Sequence, residues 1–254
     1  MKKLQTFVLF VFLMVSWEGY AYPEVVLEGN NFITVWMDDT GNHEYRYGLY
    51  SWRLGFNSVI SYRNYTNLNA SAFNNAGAEI QSKLGYSFTL EQLPWNQGPY
   101  ANRLFLSENN YGVSSWDALS LVYIVKTDGD FIFCQNHTIS ADTEGDILVS
   151  ATVYGVDNSL CSIALGKRVN AGMLVFNEDK SFSVTEQTHL ILHEFSHLFG
   201  LEHLQYFGHP ETYQCDSLMI KSKDACDPIP PASTIGSADA TALNYLKTDN
   251  SIGP

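Results

Sequence analysis

The chain has 254 residues and carries 27 acidic against 14 basic side chains, a formal net charge of −13 at pH 7. That excess of acid repels phosphate backbones and anionic headgroups, which argues against nucleic acid or an acidic membrane surface as a partner. The length suits one domain with a sizeable core, and no internal repeat, low-complexity tract or Pro/Gly linker divides it.

The first residues read as an export signal. Lys2 and Lys3 form a basic start, residues 7–15 an apolar middle, and Gly19, Tyr20 and Ala21 a small-residue cleavage site. The apolar stretch is too short to span a bilayer comfortably, and no later segment reaches that length, so no stable membrane anchor is expected. A signal peptide over residues 1–21 implies a secreted or periplasmic protein, whose mature form is one unit more negative. Residues 22–49 follow as an N-terminal extension or short prosegment.

Beyond this point the pattern alternates between strand and helix. Residues 59–62 read as a short strand. Residues 71–84 place Phe73, Ala76, Ile80 and Leu84 at helical spacing. Residues 86–90 alternate aromatic and polar side chains as a strand does. After a loop rich in Asn, Pro and Gly, residues 121–125 form an apolar strand, and Asp128-Gly129 predicts a two-residue hairpin into residues 131–133.

Two further strands are predicted at residues 147–154 and 173–176. Ser183-Val184-Thr185-Glu186 is a capping box that starts a helix, on which Ile191, Phe195 and Leu198 face a sheet. A last helix spans residues 237–246, with Ala240, Leu243 and Leu246 facing the core. This order is an α+β layout. Four cysteines, Cys134, Cys161, Cys215 and Cys226, predict two disulfides in an exported chain. Pairing Cys134 with Cys161 and Cys215 with Cys226 is preferred because each encloses one loop; free buried thiols are the alternative.

The chemistry is concentrated in residues 193–203, which read H-E-F-S-H-L-F-G-L-E-H. His193 and His197 are four apart, so on a helix they project from one face, one turn apart. Gly200 enters the left-handed conformation at little cost, ends the helix and lets the chain bring back His203. Three imidazoles suit a catalytic zinc ion, which takes three protein ligands and leaves its fourth position to water. Glu194 is turned away from the ligand pair yet close enough to act on that water as a general base. A structural zinc site would instead be closed by four ligands and rich in cysteine, and no cysteine lies inside the motif.

With these five positions the chain resembles the metzincin clan of zinc endopeptidases, named for a methionine turn after the metal motif. Cys215-Asp216-Ser217-Leu218-Met219 supplies such a turn, with Met219 as the apolar floor beneath the metal. Within the clan the chain is most similar to the matrixin-like branch, including its bacterial secreted members. The resemblance implies a zincin fold: a twisted mixed sheet, an active-site helix, a second packing helix, and a small C-terminal subdomain ending in a helix. It also implies a catalytic domain over residues 50–254, with an upper part of about 50–200 and a lower part of about 201–254.

The implied activity is hydrolysis of peptide bonds in protein or peptide substrates through a zinc-bound water activated by Glu194, in a monomer holding one catalytic Zn2+. A structural Ca2+ has no motif to support it.

The chain departs from the clan in three places. Lys221 stands where astacin- and serralysin-like enzymes carry a tyrosine, so that role in metal or oxyanion binding is not expected. Ile220-Lys221-Ser222 lacks the proline and tyrosine that shape the matrixin pocket. No cysteine precedes Cys134, so latency through a prosegment cysteine is not available. Among the other histidines, His189 reads as an interior residue behind the ligands, His209 as a surface residue, and His43 and His137 as unconnected to any site. Two alternatives remain open: a zinc-bearing binding module or toxin-like protein without turnover, and a hydrolase acting on an ester or small amide.

Overall fold

The computed structural model describes residues 23–29, 31–37, 44–49, 52–54, 59–64, 66–90, 121–127, 131–133, 137–139, 145–151, 167–177, 181–205, 216–220 and 233–248. The expected export signal, all four cysteines, Lys221, His43 and His209 lie outside these residues, as does the expected turn at Asp128-Gly129. No helix among the described residues is long and apolar enough to cross a membrane.

In chain order the elements begin with β1 (Glu24–Glu28), β2 (Phe32–Trp36), β3 (Glu44–Leu49), β4 (Trp52–Leu54) and β5 (Val59–Asn64). Helix α1 (Ala70–Leu84) and strands β6 (Ser87–Leu90), β7 (Leu121–Thr127), β8 (Phe131–Phe133) and β9 (His137–Ile139) follow. The chain continues through β10 (Gly145–Ala151), β11 (Lys167–Asn177), α2 (Val184–Leu198), β12 (Leu201–Leu204) and α3 (Ser237–Thr248).

Two sheets carry the architecture. The larger runs β10-β11-β7-β5-β6, with β4 also paired to β11. It is parallel apart from the antiparallel β10, which stands at its edge. The smaller sheet is antiparallel and runs β1-β2-β3-β12. Within residues 22–49, expected as an N-terminal extension or short prosegment, lie β1, β2 and β3, and β3 pairs with β12, the strand that follows α2. Strands β2 and β3 bury Ile33, Val35, Tyr45, Tyr47 and Leu49 in the core.

The helices start and stop for local reasons. Asn69 caps α1 by accepting from Ser71 N at 2.8 Å, and Gly85, at φ 70°, ends it. At α2 the predicted capping box is present: Ser183 Oγ accepts from Glu186 N at 3.3 Å, and Glu186 Oε2 accepts from Ser183 N at 2.8 Å. Each bond satisfies a backbone or side-chain donor that the first helical turn cannot.

The predicted β7–β8 hairpin does not form. β7 lies between β11 and β5 over Leu121–Ile124, and β8 pairs with β9 instead. A turn signal sets local geometry, but it cannot place a strand beside one that is central in a parallel sheet. The last helix also runs further than expected, and Ala238, Asp239 and Ala242 join Leu243 and Leu246 on its buried face, with Ala240 only half-buried.

α2 packs on α1 and against β10, β11 and β12, so it is covered from several directions. From Thr188 to its C-terminus every residue is buried. As predicted, Ile191, Phe195 and Leu198 are core residues. Phe195 meets Phe88 edge-on at 5.3 Å between ring centroids, and Phe88 stacks on Tyr62 at 4.2 Å. Phe195 also meets Phe199 at 5.1 Å. This aromatic column fixes the rotation of α2 about its axis, and with it the direction of the opposite face. Phe195→Ala should destabilise the fold by about 3–5 kcal/mol, as lost burial plus a cavity, read as a lower denaturant midpoint.

Candidate metal centre

Two elements joined by a tight turn bring the predicted ligands together. His193 and His197 project from the last two turns of α2, and His203 lies on β12. Between them the helix ends at Phe199, and Gly200 adopts φ 92°. That left-handed turn, with Gly200 N donating to His197 O at 2.9 Å, reverses the chain within a few residues. β12 then pairs with β3 through Leu201–Leu49 and Leu204–Tyr47, so three steps along β12 face two along β3. Glu202 and His203 occupy the resulting bulge, a distortion that re-aims side chains.

The ligand atoms of His193, His197 and His203 all lie within 4.8 Å of one another. His197 Nε2 is 3.2 Å and His203 Nε2 is 3.3 Å from His193 Nε2. The other nitrogen of each helical imidazole is committed to the backbone: His193 Nδ1 donates to Leu218 O at 2.6 Å, and His197 Nδ1 to Leu201 O at 2.7 Å. A carbonyl can only accept, so Nδ1 carries the proton in both rings and both Nε2 atoms present lone pairs. Two such lone pairs cannot share a hydrogen bond. They repel unless a cation sits between them.

Zinc fits that gap. Tetrahedral Zn–N bonds of about 2.0–2.1 Å separate their nitrogens by about 3.3 Å. The donor set is also what zinc takes: three imidazoles, the two on the helix each oriented by a bond from its far nitrogen.

Burial keeps both helical imidazoles neutral. His197 is lowered to about 3, first by desolvation and then by nearby His203, with its bond to Leu201 O opposing. His193 is pushed well below the ordinary imidazole range by desolvation, then by His197, His189 and His203.

Glu194, next to His193, is buried in the same helix turn. Met219 is fully buried, and its backbone ties the 216–220 segment to the site: Leu204 N donates to Met219 O at 2.7 Å. His189 is buried one turn before His193, with ring centroids 5.6 Å apart, and is not part of the three-histidine cluster.

Sequence reasoning missed the groups that hold this arrangement from behind. Asp239 on α3 is 0% exposed, and its Oδ2 accepts from Leu218 N at 2.9 Å. Its Oδ1 accepts from Ser217 Oγ at 2.6 Å and from Tyr47 Oη at 2.8 Å. Burial raises the carboxyl above its ordinary range, while these three donated bonds pull it back. Outside this chain of bonds, Tyr45 Oη donates to both oxygens of Asp216 at 3.1 Å. The signal available was the polar–aromatic alternation of Glu44-Tyr45-Arg46-Tyr47, and a carboxylate set in the apolar stripe of the last helix.

No protein-family profile and no curated protein matches the chain. Among solved structures, archaemetzincin from Archaeoglobus fulgidus, complexed with malonate, is 13% identical with a TM-score of 0.37, covering 72% of this chain and 98% of its own. A zinc-dependent peptidase from Methanocorpusculum labreanum is 10% identical with a TM-score of 0.36, covering 73% of this chain and 100% of its own. Both similarities are too low to assign an activity.

The buried imidazoles make the metal-free chain acid-sensitive. Unfolded histidines take up protons below about pH 6.5, whereas His197 in the fold resists to about 3. The unfolded state therefore binds more protons in that window, and stability present above it is lost as pH falls through it. The denaturant midpoint of the metal-free protein should drop between about pH 7 and about pH 4.5, and drop less in His197→Gln. Equal drops in the two proteins would contradict this assignment.

Proposed function

We propose that this chain is an exported zinc-dependent endopeptidase of the metzincin type, with His193, His197 and His203 holding one zinc ion and Glu194 as general base. The observation that carries the reading is the facing pair of Nε2 lone pairs on His193 and His197, 3.2 Å apart, with His203 Nε2 beside them. When bound, zinc supplies Lewis acidity, lowering the pKa of a water to about 7 and polarising a carbonyl oxygen.

The chain's own residues do the rest. Leu218 O and Leu201 O fix which nitrogen of each helical imidazole is bare and where it points. As water attacks the scissile carbonyl carbon, Glu194 takes its proton and passes it to the amine nitrogen as the C–N bond breaks. Burial of Glu194 within α2 limits its motion during that transfer.

The substrate strand has a place to lie. β10 stands at the edge of the larger sheet, and α2 packs against it. An extended peptide adds to such an edge through main-chain hydrogen bonds, which suits a protein or peptide substrate. The strand expected from the sequence at residues 147–154 overlaps β10, whose span is Gly145–Ala151.

The test is Glu194→Gln in the zinc-loaded protein, assayed on a quenched peptide library. Turnover should fall by at least about 10²-fold with zinc content and fold unchanged. Cleavage at the wild-type rate would contradict the general-base role. A zinc-loaded wild type that binds peptides without cutting any would instead favour the binding-module reading.

A further inference from the structure

The N-terminal sheet does more than cover a face of the core. We propose that β1–β3 is a permanent positioning element of the metal centre, in which Tyr47 orients His193 through Asp239 and Leu218, and Gly48 leaves room for the bulge that aims His203. This rests on the zinc-site reading above, and it names residues which that reading does not use.

The first path is a chain of hydrogen bonds with no slack. Tyr47 is fully buried, and its hydroxyl donates to Asp239 Oδ1 at 2.8 Å. Asp239 Oδ2 holds Leu218 N at 2.9 Å, and Leu218 O receives the Nδ1 proton of His193 at 2.6 Å. Both backbone groups of Leu218 are therefore committed, one to the carboxylate and one to the ligand. Ser217 Oγ donates to Asp239 Oδ1 at 2.6 Å and accepts from Met219 N at 3.1 Å, which fixes the turn on either side of Leu218. Removing the Tyr47 hydroxyl frees one lone pair of a carboxylate that cannot reach water. The carboxylate then shifts toward its remaining donors, and the carbonyl facing His193 shifts with it.

The second path is steric. β3 is the strand on which β12 is registered, and the bulge at Glu202 and His203 lies across from Gly48. A Cβ at Gly48 would stand 2.5 Å from Glu202 Oε2 and 2.9 Å from Glu202 Cβ, closer than real side chains approach. Gly48 is thus required by proximity rather than by backbone angle. A methyl group there moves β12, and His203 is the next residue along it.

Together the two paths reach two of the three imidazoles from one strand. Cutting residues 22–49 away would remove the partner strand of β12 and the Tyr47 hydroxyl from Asp239, so on this proposal the zinc-binding form keeps the segment.

Zinc affinity measured by competition with a chromophoric chelator tests the proposal, using the full chain and the variants Tyr47→Phe, Gly48→Ala and Tyr45→Phe. Tyr45→Phe deletes a hydroxyl from the same strand, but one that reaches Asp216 rather than Asp239. Tyr47→Phe and Gly48→Ala should each weaken zinc binding by about tenfold, whereas Tyr45→Phe should stay within about twofold. The visible spectrum of the Co2+-substituted protein should change in the first two and not in the third.

A purely structural role predicts something else: lower melting temperatures, equal with and without zinc, and an unchanged zinc dissociation constant in both Tyr47→Phe and Gly48→Ala. That result would overturn the proposal, as would loss of the fold in Tyr47→Phe, since its hydroxyl would then hold the whole sheet. Failure of the wild-type chain to bind zinc would overturn the zinc-site reading itself, an outcome distinct from wild-type binding with unaltered variants.

Discussion

Everything around the candidate site follows from one constraint: two neutral imidazoles on one helix face are forced to aim bare nitrogens at the same point. Each ring could relieve the repulsion by moving its proton to Nε2, but Leu218 O and Leu201 O hold the protons on Nδ1. Burial removes the other escape, protonation, by making the charged form costly. A cation is what remains. The metal-free fold therefore stores unfavourable electrostatics that a bound ion releases, which couples metal binding to stability.

Keeping that geometry takes contributions from distant parts of the chain. The aromatic column from Tyr62 through Phe88 to Phe195 sets the rotation of α2. Gly200 turns the chain, and the bulge against β3 aims His203. Asp239, 36 positions after the last of the three histidines, holds the backbone that orients the first. Helix, bulge, turn and final helix are packed as one core, so the site has few independent parts that could loosen alone.

The sequence made some of this legible and concealed the rest for physical reasons. Helix α2, its capping box, its buried face and the glycine that ends it are local features with their own residue signatures, and all are present. Strand β11 is 11 residues long, yet only its second half carried a readable apolar run; the first half is defined by pairing with β4. Strands β1–β3 lie in the span expected as an N-terminal extension or short prosegment, although Phe32-Ile33-Thr34-Val35-Trp36 has the β-branched and aromatic character of a strand.

Within the site, the three histidines and Glu194 stood out through their spacing. Asp239 and the backbone carbonyls of Leu218 and Leu201 did not. A carbonyl is present at every residue, and its role appears only once the fold places it beside a ring nitrogen. Asp239 was passed over because apolar periodicity is blind to a carboxylate buried by three donors.

Zinc K-edge absorption on the protein after exhaustive dialysis against metal-free buffer reads whether these three imidazoles hold one zinc ion. One zinc per chain with three imidazole nitrogens at about 2.0–2.1 Å is expected, and loss of the ion in His203→Ala. A chain that retains no zinc, sulfur neighbours at about 2.3 Å, or an unchanged spectrum in His203→Ala would contradict it.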